Sequence, residues 1–414
     1  LHSFPTRRSS DLTLYALAGK LYYTGYGEAP ENLQGTVAIA SGLTTASISK
    51  SGSITFNEEN GQGSYVPPAA PDIPEHQEVF EFTAPITGDS VVDEAYLYGG
   101  VLKDAGYIFE ADSLIKIGGS QGAAAIDVQK DVNIDAKNST LQLVVNKDNG
   151  NAMGIRQNSS KLAQITADEV DVQVTGTGRT EAISVNGSNA SDVVKLAITG
   201  DTKLEAHGSS YALGIYAAGN SQLDINGNYT VKAADGGWGI TNAKNGALNE
   251  DGAFFNTSAI YAAGTAGSGN NADAAAVVNI NGDVDLAVDG SGVIANMDGA
   301  IVNIKGGGTI KINDKPADFE GAAVHYALAA MSGTINMNVT NDTSKMVVLY
   351  GNVGVLDRAD NDAESCKHSE VNLQLNTADS MWQGVAVEAI SEMNRADGYT
   401  GANNLGLSNG ATWY

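Results

Sequence analysis

Along the middle of the chain one short pattern recurs. It runs apolar, any, apolar, any, then Gly or another small or polar residue, Asp or Asn, two variable positions, and apolar, any, apolar. Six copies are read: Ile126-Asp-Val128 to Ala136, Ala163-Gln-Ile165 to Val174, Leu196-Ala-Ile198 to Ala206, Leu223-Asp-Ile225 to Ala233, Val278-Asn-Ile280 to Val288 and Val302-Asn-Ile304 to Ile312. Their central residues, Val128, Ile165, Ile198, Ile225, Ile280 and Ile304, stand 37, 33, 27, 55 and 24 residues apart. The step of 55 counts as about two repeats and holds a Gly/Ala/Asn-rich stretch at 236–271 that reads as a loop insertion.

Within each copy apolar residues alternate with polar ones, the period of a strand with one buried face. A helix reading fails, because positions three and four apart do not stay apolar and Gly-Asp, Asn-Gly or Gly-Asn interrupts about every ten residues. Further apolar pieces precede most copies, among them Met153-Gly-Ile155, Leu213-Gly-Ile215 and Val293-Ile-Ala295. One unit of two or three such strands cannot bury its inward side chains alone, so neighbouring units must stack. The fold expected is all-β, a right-handed parallel β-helix, that is, a single-stranded solenoid. The regular repeats span 111–345. The stretch 13–110 is expected to be a less regular part of the same solenoid with an excursion at Pro67–Pro74, and 346–414 to carry further strands of a distinct signature.

Residues 2–12 differ from the rest in composition and resemble a translated sequencing adapter, so 1–12 is set apart as non-native. The abrupt end at Trp413 and Tyr414 leads us to expect that both natural termini lie outside this sequence. The formal net charge is −25, with 23 Lys and Arg against 48 Asp and Glu. Such a surface repels phosphate backbones, which argues against nucleic acid as a partner. Cys366 is the single cysteine, so neither an internal disulfide nor a cysteine-based metal site can form.

Near the end, Val371-Asn-Leu-Gln-Leu-Asn-Thr-Ala-Asp-Ser380-Met-Trp382-Gln-Gly384 and Asn404-Leu-Gly-Leu-Ser-Asn409-Gly410-Ala-Thr-Trp413 share alternating Leu strands that lead into a turn and a Trp. These segments resemble the C-terminal passenger turns of pertactin-like bacterial autotransporters, exported by type V secretion. The resemblance covers about 45 residues. It implies a passenger at the bacterial cell surface or outer membrane, or released from it, followed by an autochaperone region and an outer-membrane barrel in cis that this sequence does not reach. It also implies partners on host cells, matrix or glycans, with Trp382 and Trp413 packing at the solenoid's end rather than binding ligand.

Candidates for chemistry are few. Gly88-Asp89-Ser90 is similar to the nucleophile context of serine-protease passengers, but Val91 replaces the small residue that shapes an oxyanion turn, and His76 is too near to be the usual distant base. A β-helix polysaccharide lyase or hydrolase would pair acids with bases along a groove, and no Asp-Asp pair stands beside a basic residue on one strand. The oxygen-rich runs Asp357–Glu364 and Asn57–Gly61 could hold Ca²⁺, yet match no calcium-loop spacing and read as solvated acidic loops. Cys366 and His368 are two ligands short of a zinc site. His207 and His325 read as surface or turn residues, and Asn158-Ser-Ser160 as a chance glycosylation match. No catalytic, cofactor or metal residue is therefore assigned. The function expected is an adhesin or display rod without catalysis, and the alternative is a secreted carbohydrate-active β-helix enzyme.

Overall fold

The computed structural model describes the strands between Thr13 and Gly118 and the chain from 124 to 414, apart from 148–149, 189–191, 209–210, 236–256, 265–274, 297–298, 314–325, 341, 357–367 and 397. It is a parallel β-helix. Each coil lays one strand on each of three faces, and every face is a stack of parallel, in-register strands. We name the faces by what they carry: the asparagine face, the charged face and the small-residue face.

The asparagine face stacks Ile134, Ile165, Ile198, Ile225, Ile280 and Ile304 inward, continued by Met337, Leu373 and Leu405. The six isoleucines are each 1% exposed or less. Burying each such side chain contributes roughly 1.5–3 kcal/mol. In the first coils one long strand (Val132–Lys147, Ala163–Gly176, Val194–Gly208) bends onto the charged face, and later coils divide it in two. The charged face then runs inward through Leu143, Val172, Leu204, Val231, Leu286, Ile310, Leu349, Trp382 and Trp413.

Two details of the repeat differ from the sequence reading. Ile134, not Val128, is the residue that pairs with Ile165, while Ile126 pairs with Ile155 on the small-residue face. The first copy was therefore one face out of step, because Ile126-Asp-Val128 fits the template and Val132-Asn-Ile134, whose corner is longer, does not. Likewise Ile225 pairs directly with Ile280, so the step of 55 is one coil, not about two. Its additional chain falls between the small-residue strands and their neighbours, in 236–256 and 265–274, outside the described residues.

The Gly-Asp and Gly-Asn pairs of the repeat form the corner between the asparagine and charged faces. Gly200, Gly227, Gly282 and Gly306 lie one above the other. A Cβ on Gly227, Gly282 or Gly306 would come within 2.1, 2.3 or 2.2 Å of the carbonyl oxygen of the glycine one coil earlier, so no other residue fits. The next residue stitches the coils: the Oδ1 atoms of Asp201, Asn228 and Asp283 accept the N–H of Asn228, Asp283 and Gly307 at 3.0, 3.0 and 2.9 Å. Those N–H groups would otherwise lack a ladder partner at the bend. Corner length is constant here: Ile198 to Leu204, Ile225 to Val231, Ile280 to Leu286 and Ile304 to Ile310 are each six residues.

The small-residue face is a nine-stranded sheet with alternating Gly and Ala inward: Gly154, Ala182, Gly214, Ala259, Gly292 and Ala327. At Gly154, Gly214 and Gly292 an added Cβ would meet side-chain atoms of Val172, Tyr229 and Ile310 at 2.2, 2.7 and 2.6 Å, because the charged face reaches across the narrow core. Fully buried Tyr229 crosses it completely, and its hydroxyl donates to the Ala259 carbonyl at 2.8 Å.

Before residue 78 pairing is different. Thr13–Leu17 and Lys20–Thr24 are antiparallel, and so are the strands at 36–38, 47–48, 52–57 and 62–66. Solenoid pairing begins with Glu78–Phe82, parallel to Ser113–Gly118. The expectation of one solenoid throughout 13–110 is corrected accordingly: Ser51–Phe56 has the alternation of any half-buried strand, which does not distinguish the two pairings. The regions at 1–12 and 67–74 lie outside the described residues.

Candidate functional site

The outer side of the small-residue sheet carries a line of paired charges and stacked aromatic rings. The strand Ala152–Gln157 places Arg156 one rung above Asp127. Arg156 Nε donates to Asp127 Oδ1 at 2.8 Å, and its second nitrogen binds the other oxygen, a bidentate pair. Burial alone would raise the Asp127 carboxyl, but the hydrogen bonds from Arg156 and Gln129 outweigh it and hold the pKa below the usual value.

One coil beyond Arg156, Arg179 pairs with Glu181, which is 1% exposed. Burial pushes the Glu181 carboxyl above its usual range, against the opposing pull of Arg179 and Ser184. Arg179 also lies over the Tyr216 ring, with its guanidinium carbon 4.1 Å from the centroid. Tyr216 stacks on Tyr261 at 5.7 Å and 13°, and the Tyr261 hydroxyl accepts from Asn296 at 2.8 Å.

A raised carboxyl beside an arginine and two tyrosines is the combination an acid catalyst or sugar subsite would use. The geometry serves neither purpose. The rings stack along the solenoid axis, so Arg179 and Tyr261 cover the two faces of Tyr216, and Tyr261 packs against the apolar cluster around Ile294. No ring face remains for a sugar, and Glu181 is sealed from solvent with its charge partner in place. The stripe is a ladder of stacked and paired side chains that holds successive rungs together.

The asparagine face carries a second ladder. Asn279, Asn303, Asn336, Asn372 and Asn404 stand in one outward column. Each Nδ2 donates to the Oδ1 of the residue one coil earlier, at 2.7 Å to Asp224 and 2.8 Å at the other four steps. The sequence displays these asparagines as the polar members of strand alternation, and only the stacking turns them into a line.

The candidates weighed from sequence do not assemble. His76, Gly88-Asp89-Ser90, Val91, Asp357–Glu364, Cys366 and His325 lie outside the described residues. Of Asn57–Gly61, Asn57 ends the strand Gly52–Asn57, and 58–61 lie outside the described residues. His207 lies near the end of the strand Val194–Gly208, 4.0 Å from Glu205, rather than at a turn. His368 begins a strand, with Nδ1 2.7 Å from the Thr400 hydroxyl. Among the described residues no group of three or more His, Cys, Asp or Glu is placed to hold a metal ion.

The two Trp-containing segments become the last two rungs of the charged face. Trp382 and Trp413 stack at 4.6 Å and 8°. Their Nε1 atoms donate to the carbonyls of Gly351 and Gly384, at 2.9 and 3.0 Å. The repeated motif is thus a repeated coil, with each indole anchored to the glycine before it. No family model, curated protein or solved structure matches this chain.

Proposed function

We propose that this chain is a surface-displayed or secreted passenger of a bacterial autotransporter, acting as an adhesin or structural display rod without catalysis. The observation that carries the reading is the way the outward polar groups are used. The Asp127–Arg156 pair, the Arg179–Tyr216–Tyr261 stack and the asparagine ladder each bind rung to rung along the axis. They do not converge on a point where a substrate atom would react. Such ladders stiffen a stacked solenoid, and here the described outward groups are used for that. The resemblance of 371–384 and 404–413 to passenger turns supplies the bacterial and outer-membrane part of the proposal, with the barrel in cis, and host surfaces, matrix or glycans as partners.

Brief protease treatment of intact source cells, followed by immunoblotting for this chain, tests the location. Cleavage or shedding without lysis is expected, and a chain protected until the cells are broken would refute surface display. The alternative of a carbohydrate-active β-helix enzyme predicts new reducing ends or unsaturated products from acidic or neutral glycans. We expect neither.

A further inference from the structure

We propose that Tyr216 and Tyr261 form an oxidative crosslinking site, at which a haem peroxidase with hydrogen peroxide joins two neighbouring coils through a dityrosine bond. The two residues are register partners on adjacent strands of the small-residue face. Their ring centroids stand 5.7 Å apart at 13°, a slipped stack in which an edge of each ring faces the other. Among the described residues this is the one pair of tyrosines whose rings stack.

The surroundings hold the rings in that position. Arg179 lies over the far face of Tyr216, 4.1 Å from its centroid, and Asn296 donates to the Tyr261 hydroxyl at 2.8 Å. Both faces of Tyr216 are covered, yet coupling takes place at the ring carbon beside the hydroxyl, which lies on the edge. Each side chain is half-buried, so part of each is open to an oxidant that acts at the surface. Tyr229, Tyr326 and Tyr399, by contrast, are 3% exposed or less.

Each phenol gives up one electron and its hydroxyl proton, leaving a phenoxyl radical whose unpaired spin is shared with the carbons beside the oxygen. A bond forms between one such carbon of Tyr216 and one of Tyr261. The hydrogens on those two carbons leave as protons and each oxygen regains one, which restores both aromatic rings. The pair loses two electrons and two protons in all, and hydrogen peroxide takes them up to become two waters. Proximity selects the partner, because the two rings already touch, whereas a radical on another copy must first be met by diffusion.

The position of the bond has a structural consequence. Ile215 and Ile260, which precede the two tyrosines, are register partners 45 residues apart, and the other steps along this face run from 25 to 35. The crosslink therefore closes the longest coil of the face, where the entropic cost of bringing the chain ends together is greatest. A stack that holds two rungs by contact becomes a covalent stitch, which also constrains the unfolded chain. Exposure to external peroxide rests on the display reading, whereas the crosslinking site itself does not.

The test treats the full chain with a haem peroxidase and limiting hydrogen peroxide over a series of protein concentrations, then digests the unfolded product with trypsin. Cleavage after Lys203, Lys232, Lys244 and Lys305 places the two tyrosines in peptides 204–232 and 245–305. These should be found joined, lighter by two hydrogen atoms than their sum, in the monomeric fraction and at a yield independent of protein concentration. Tyr216→Phe leaves Tyr211 and Tyr229 in the first peptide and should still abolish the joined product, as should Tyr261→Phe. Both variants keep the aromatic ring, and circular-dichroism melts before treatment check that they fold. No joined peptide from wild type, its persistence in Tyr216→Phe, or a yield that rises with protein concentration would each overturn the proposal. None of these results bears on surface display, which the protease experiment reads separately.

Discussion

Replacing Tyr229 by Phe removes one oxygen atom from the centre of the solenoid and tests how the core spans its narrow dimension. The hydroxyl donates to the Ala259 carbonyl at 2.8 Å, and the whole side chain is shielded from water. Without the donor that carbonyl loses its bond to the phenol inside the core, which costs about 1–3 kcal/mol at neutral pH. The pH dependence makes the test specific. Burial pushes the phenol well above its ordinary value of 10.0. Above pH 10 the unfolded chain releases this proton while the folded chain keeps it, so the unfolded state binds fewer protons and stability falls as pH rises. Wild type should lose about 1.4 kcal/mol per pH unit beyond 10 from this group, and the Phe variant should not. Urea melts followed by circular dichroism at pH 7 to 11.5 should show the Phe variant weaker at pH 7 and the gap closing between about pH 11 and 12. Stability curves that stay parallel throughout, or equal stability at pH 7, would refute the reasoning.

Ile280→Ala should cost about 2–5 kcal/mol, and Ile280→Asp should open the coil to limited proteolysis near that rung, because the side chain is fully buried. Gly282→Ala drives a Cβ to 2.3 Å from the Gly227 carbonyl and should destabilise by about 1–3 kcal/mol in thermal melts, through steric overlap alone because its backbone angle is ordinary. In acid, the Asp127–Arg156 pair should outlast the neighbouring Arg179–Glu181 pair, whose carboxyl pKa is raised. The Asp127 carboxyl's folded pKa is lowered, so its contribution is present above the unfolded value of 3.8 and fades as pH falls through the folded value. The stability gap between wild type and Asp127→Asn should accordingly close in melts below about pH 3.8.

The alternation around Ile165, Ile198, Ile225, Ile280 and Ile304 exposes the strands and their inward side in the sequence, since a period of two survives whatever the strand pairs with. Pairing itself is not legible that way. It put Val128 on the wrong face, made one long coil resemble two, and hid the antiparallel sheet before residue 78. Gly154, Gly214 and Gly292 gave no signal as core residues because they bury no side chain, although they make room for Val172, Tyr229 and Ile310. The Gly-Asp corner was visible as a motif without its cause, which is the carbonyl of one coil lying where the next coil's Cβ would be. Glu181 and Arg179 were legible only as two charges on a strand. The separation of Glu181 from solvent depends on neighbouring coils.

The constant corner has a consequence for how such a chain tolerates change. From Ile198 to Leu204 and in the next three coils the passage between two faces is six residues, whereas the passage from Ile260 to Ile280 is twenty and that from Val231 to Ile260 is twenty-nine. Within these four coils length varies at the two borders of the small-residue face and stays fixed at the glycine corner, whereas elsewhere the same passage runs from seven residues, Ile165 to Val172, to twelve, Met337 to Leu349. A foreign peptide grafted between Ile260 and Ile280 should be carried without disturbing the rungs on either side. The same peptide placed between Gly227 and Asn228 would part the stacked glycines and their side-chain stitches. The molecule therefore has a closed spine and an editable margin, and a graft library aimed at that margin can change what the rod presents while leaving the rod itself intact.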